Sequence, residues 1–139
     1  MRRFELHHIE PFPRERVGIL LDTAHLWALG HDLRRASVVQ NLVRAIDHGP
    51  GLGRLWAFHI NDNPAELGSR RDLHALWTDG RMGARALRNL VAVPQFSDLA
   101  MIFEVPGETA AYDTKRLAAM RKLAGKVGRG TRRARQKGK

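Results

Sequence analysis

Three short apolar runs punctuate the chain, and each reaches an acid or an imidazole at or near its end. They are Val17-Gly18-Ile19-Leu20-Leu21-Asp22, Leu55-Trp56-Ala57-Phe58-His59-Ile60 and Leu99-Ala100-Met101-Ile102-Phe103-Glu104-Val105. Runs this short read as strands, and the first, lacking alternation, is expected to be buried on both faces. Helical patterns stand between them. Residues 33–47 bring Leu33, Val38, Leu42, Val43 and Ile46 to one face, and residues 84–92 follow the same logic. A last helix is expected from Asp113, a good N-cap, through Leu117, Met120 and Leu123. Residues 3–10 read as a helix end closed by Pro11-Phe12-Pro13. The segment His48-Gly49-Pro50-Gly51-Leu52-Gly53 is a break, without the lysine of a phosphate loop. Asn61 to about Gly83 is a long polar loop. Short strands alternating with helices predict a parallel α/β sheet.

The 139 residues suit one small domain, and 43% hydrophobic content excludes wholesale disorder. No cysteine is present, so disulfides and thiolate metal sites are excluded. No apolar run reaches the length of about 18–20 residues that a membrane helix needs, and Met1-Arg2-Arg3-Phe4-Glu5-Leu6-His7-His8 lacks the core of a secretory signal. The expectation is a soluble, cytoplasmic protein with no membrane partner.

The net charge of +10 is unevenly placed. Residues 114–139 hold 11 of the 24 Lys+Arg and none of the 14 acids, leaving residues 1–113 with 13 basic against 14 acidic side chains. Residues 125–139, which include Arg132 and Arg133, are expected to form a disordered basic tail. Such a tail either solubilises the chain or adds affinity for DNA by counterion release. It cannot supply sequence specificity, because phosphate contacts carry no base information.

In parallel α/β folds, chemistry gathers at the carboxyl ends of strands. Asp22, His59 and Glu104 would then share one rim, with His25, Asp72 and His74 in the adjoining loops. Each has an ordinary alternative: an Asp before Thr caps a turn or helix, and a His beside an apolar strand is often a hydrogen-bonded core residue. His7, His8, His31 and His48 read as surface residues. Together, the six candidates make an oxygen-plus-imidazole set suited to zinc, manganese or iron.

At these positions the sequence resembles a known family. Gly18-Ile19-Leu20-Leu21-Asp22-Thr23-Ala24-His25 resembles the Leu-Asp-Thr-x-His segment of endonuclease IV, also called deoxyribonuclease IV. Phe58-His59-Ile60-Asn61-Asp62-Asn63 and Glu66-Leu67-Gly68-Ser69-Arg70-Arg71-Asp72-Leu73-His74 are similar to the next signature, and Ile102-Phe103-Glu104-Val105-Pro106-Gly107 to the last. Trp77-Thr78-Asp79-Gly80 departs from the family's Ile-Gly-Glu-Gly, which puts the shape of this loop in question without removing a ligand.

The resemblance implies an α/β fold, the C-terminal portion of a xylose-isomerase-like TIM (β/α)₈ barrel with about three β/α units over residues 1–124. It implies a DNA repair endonuclease that hydrolyses the phosphodiester bond 5′ of abasic sites in duplex DNA, with up to three zinc ions in the complete site. At most two of those would be largely provided here. Asp22, His59 and Glu104 match catalytic ligands of the zinc pair nearest the attacking water, and His25, Asp72 and His74 match the ligand set of the third. Arg70 is a candidate phosphate contact, with pairing to an acid as the alternative.

The family's remaining ligands lie upstream of Met1. The resemblance therefore implies a truncated or split form, whose open sheet edges predict an upstream half-barrel polypeptide or self-association as partner. Two other readings stand beside it. A metal-dependent sugar-phosphate isomerase or epimerase of the same barrel would use Asp22, His59 and Glu104 but not Asp72 and His74. An inactive half-barrel would bind DNA through the tail.

Overall fold

The computed structural model describes residues 17–77 and 79–104, together with positions 114, 117, 118, 121 and 122. The elements run β1 (Ile19–Asp22), α1 (Thr23–Ala28), α2 (Ala36–His48), β2 (Leu55–His59), α3 (Gly83–Val91) and β3 (Ala100–Ile102). The strands form one parallel sheet in the order β1-β2-β3, as the alternation predicts. This is the α/β arrangement of consecutive barrel units. The expected helix at 3–10 and the tail lie outside the described residues. Of the last expected helix, Thr114, Leu117, Ala118, Arg121 and Lys122 have helical backbone.

One face of the sheet carries the core. The stripe Val39, Val43 and Ile46 on α2 and the stripe Ala86, Leu87 and Leu90 on α3 are buried with Phe58 of β2. Each large aliphatic or aromatic side chain sequestered this way stabilises the fold by about 1.5–3 kcal/mol. Phe58 meets Phe96 edge to face at a centroid distance of 5.0 Å, which seats the turn before β3 on the sheet. Leu33 is fully buried but precedes α2, whose innermost position is Val39, and Val38 and Leu42 pack at its margin. Arg34 stacks over the Trp27 ring at 4.7 Å and pairs with Asp32 at 2.8 Å, which holds the Asp32 carboxyl below its usual range.

The other face is open. Leu20, Trp56 and Ile102 are 44%, 51% and 43% exposed, so β1 is not buried on both sides as its unbroken apolar run suggests. The run is apolar in composition, yet Leu20 on its second side stays half-exposed, and that side is closed over only at the strand's end, at Asp22. The Trp56 ring lies against Gly18, where a Cβ would have to displace it, and the β1–β2 register shifts between Ile19 and Leu20. Among the described residues, no helix is long and apolar enough to cross a membrane.

Candidate metal centre

Parallel pairing sets Asp22 beside His59 and His59 beside Ile102, so the three strands deliver their ends to one rim. Asp22 serves two ends of the molecule at once. Its Oδ1 accepts from the backbone N–H of Ala24 at 2.7 Å and of His25 at 3.2 Å, capping α1. Its Oδ2 is left to face His59 Nδ1 at 3.5 Å and His74 Nε2 at 3.7 Å. The cap is therefore made by one oxygen of Asp22, and the other is left toward the two imidazoles. Glu104, just beyond β3, brings Oε2 to 2.8 Å from His59 Nδ1.

The cap also creates α1, a six-residue helix that the spacing of apolar residues did not reveal. It closes at Gly30, whose φ of 95° suits glycine, with the Gly30 N–H donating to Trp27 at 2.9 Å. In the first turn of α1, His25 presents Nε2 to Asp72 Oδ2 at 2.8 Å. Asp72 Oδ1 lies 3.2 Å from His74 Nε2.

The loop carrying Asp72 and His74 is tied down along its length. Trp27 donates its indole N–H to the Ala65 carbonyl at 2.8 Å, and Trp77 donates to Ile60 at 2.7 Å. Asn63 donates to the Arg71 carbonyl at 2.9 Å, and Asp62 and Ala75 exchange both backbone hydrogen bonds in an isolated bridge. Asp62, fully buried, accepts from the N–H groups of Asn63, Met82 and Gly83 at 2.7–2.8 Å, fastening the loop to the start of α3. Burial pushes its carboxyl up from the ordinary value of 3.8, against the lowering effect of those donors. Gly80 abuts the same carboxylate. Within the departing stretch, Trp77 is buried and Gly80 fits where a Cβ would not.

All six ligand candidates join one continuous cluster. Two groups have ligand atoms mutually within 4.8 Å: Asp22 with His59 and Glu104, and Asp22 with His25 and His74. Asp22 belongs to both, which spacing alone did not suggest. The most direct sign that the cluster suits a cation is His74. Its Nδ1 lies 3.0 Å from the Glu104 carbonyl oxygen, a partner that requires Nδ1–H. Nε2 then carries a lone pair, is buried, and has no hydrogen-bond donor facing it. An imidazole lone pair facing the carboxylates of Asp72 and Asp22 fits zinc or a similar borderline ion.

Arg70 sits in this loop, exposed, with a φ of 57° and its N–H donating to the Ala28 carbonyl at 3.0 Å. His31 and His48 are exposed, as expected. Arg132 and Arg133 lie outside the described residues, as do His7 and His8. Residues that the sequence reading left without a role are Asn61, Asp62 and Asn63, all buried. Three consecutive short polar residues closing an apolar strand were the available signal.

Residues 6–125 match the family described as xylose isomerase-like TIM barrel. The chain is 43% identical over 126 residues to a probable endonuclease 4 of Chloroflexus aurantiacus, covering 87% of this chain and 44% of that protein. It is 39% identical over 112 residues to a probable endonuclease 4 of Methanoculleus marisnigri, covering 81% and 40%. It resembles the crystal structure of endonuclease IV from Thermus thermophilus with a TM-score of 0.66 and 31% identity, over 78% of this chain and 39% of that one. The chain thus spans less than half the length of these relatives.

Proposed function

The chain belongs to the xylose isomerase-like TIM barrel family, and we propose that its strand-end cluster is part of the zinc centre of a DNA repair endonuclease cleaving 5′ of abasic sites. The observation that carries this reading is the buried, donor-free Nε2 of His74 among the carboxylates of Asp22 and Asp72, in a chain similar to probable endonuclease 4 proteins.

Bound zinc would supply a nucleophilic water near neutral pH and a Lewis acid at the scissile phosphate. Asp22, His59 and Glu104 would hold it at the strand ends, and His25, Asp72 and His74 at the loop side. Asp22 Oδ2, facing both His59 and His74, would be shared between the two sides. Arg70 would meet a backbone phosphate of duplex DNA, and the tail with Arg132 and Arg133 would add affinity irrespective of sequence. The remaining ligands of the family site would come from an upstream half-barrel, while self-association would cover the open sheet edges.

An isomerase or epimerase that holds a single metal has no use for Asp72. Its placement at 2.8 Å from His25 and 3.2 Å from His74 favours the nuclease reading. The test is incision of a duplex oligonucleotide carrying one abasic-site analogue, with zinc. The chain is assayed alone and mixed with the preceding half of a related barrel, beside its His74→Ala variant. A nick 5′ of the lesion that the variant loses supports the proposal. No nick in either arm, or one the variant retains, overturns it.

A further inference from the structure

Asn61 is fully buried two residues beyond His59, and its side chain reaches Asp22, Glu104 and the edge of His74. Its Nδ2 donates to Asp22 Oδ2 at 2.8 Å and lies 3.4 Å from His74 Nδ1. Its Oδ1 accepts from the backbone N–H of Glu104 at 2.9 Å. The Asn61 carbonyl accepts from the Thr23 hydroxyl, which joins the same residue to the start of α1. Thus a single amide at the end of β2 connects the end of β1 to the residue after β3, with the loop histidine beside it.

We propose that Asn61 is a positioning residue for the metal centre: through its amide it aims Asp22 Oδ2 into the cluster and fixes Glu104 relative to His74. This rests on the metal-centre reading above. The chemistry favours an amide over any other side chain of this size. Asp22 Oδ2 is acceptor-only and needs a donor, while the Glu104 N–H needs an acceptor, and a primary amide offers both from one small planar group. A carboxylate would set a second negative charge against Asp22, and an aliphatic residue would leave the Asp22 oxygen and the Glu104 N–H without these partners. Groups that orient ligands in this way commonly govern metal affinity by about 10–100-fold.

The geometry also explains why one oxygen of Asp22 remains available. Oδ1 is committed to the N-terminus of α1, and the Asn61 donor occupies one lone pair of Oδ2. Oδ2 keeps a lone pair directed toward His59 and His74. Rotation of the carboxylate would break bonds at both oxygens, so its orientation is set before any ion arrives.

The test is titration of the full chain with cobalt(II), read by its visible absorption, for the unaltered protein, Asn61→Ala and Ile46→Val. The last is a core change on α2 that reports general loosening. The expected result is cobalt affinity about 10–100-fold weaker and an altered absorption band in Asn61→Ala, with Ile46→Val matching the unaltered chain. Affinity and spectrum unchanged in a folded Asn61→Ala overturn the role of Asn61. No cobalt spectrum from the unaltered chain overturns the metal-centre reading and the inference with it. Should Asn61→Ala not fold, nitrogen-15 spectra of the unaltered chain decide: the Asn61 side-chain amide must shift as zinc is added, and a static signal contradicts the role.

Discussion

His74 turns its Nδ1 to the carbonyl oxygen of Glu104, 3.0 Å away, which leaves its buried Nε2 facing Asp72 and Asp22. One hydrogen bond therefore fixes the ring's orientation and decides which nitrogen is free to ligate. It also makes the backbone after β3 a determinant of the loop site, although the two are 30 residues apart in sequence.

Asp62 should leave a pH signature in stability. Burial raises its folded-state pKa above the ordinary 3.8, so the folded protein holds this proton more tightly than the unfolded chain does. Its contribution to stability therefore declines as pH rises from about 4 through the folded-state value, where the ionised form must be kept buried. Asp62→Asn should lack that decline. Urea midpoints of both proteins across this range check it, and parallel pH profiles would contradict it.

Gly80→Ala should destabilise the fold by about 1–3 kcal/mol. A Cβ there would meet Asp62 Cγ, and that carboxylate is held by three backbone donors and cannot yield. Gly18→Ala offers a contrast, because the atoms in its way belong to the half-exposed Trp56 ring, which can swing out. Denaturant midpoints should fall clearly for the first and little for the second.

Arg70→Gly should separate conformation from charge. Glycine relieves the left-handed φ of 57°, so stability should hold or rise by up to about 1 kcal/mol. If Arg70 contacts a phosphate, the slope of log affinity for DNA against log salt should shrink by about one unit. Filter binding at several salt concentrations measures it, and an unchanged slope removes Arg70 from the interface.

Removing residues 125–139 deletes seven basic side chains. DNA affinity should drop and become much less salt-dependent, while zinc binding stays as it was. Equal DNA binding by the shortened chain would show that the tail plays no part.

Much of the site was legible because the chemistry interrupts a pattern. Asp22, His59 and Glu104 stand out as polar residues closing apolar runs, and the strand order follows from the alternation of elements. The stripe on α2 was legible by periodicity, apart from the exchange of Leu33 for Val39 at its centre. What escaped depends on three-dimensional partners. α1 is too short to show a period and exists because Asp22 caps it. The exposed side of β1 cannot be read from Leu20 or Leu21, since burial belongs to whatever packs on a strand rather than to the strand. Asn61, Asp62 and Asn63 look like loop residues in sequence, and their separate tasks appear only when Asp22, Met82 and Arg71 are seen beside them.

Zinc binding tests the central claim most directly. The chain is titrated against a chromogenic chelator beside the double variant His25→Ala/His74→Ala. The account predicts at least one zinc held per unaltered chain, and at least about tenfold weaker binding in the variant. Equal zinc affinity in the two proteins, or no zinc retained by either, would contradict it.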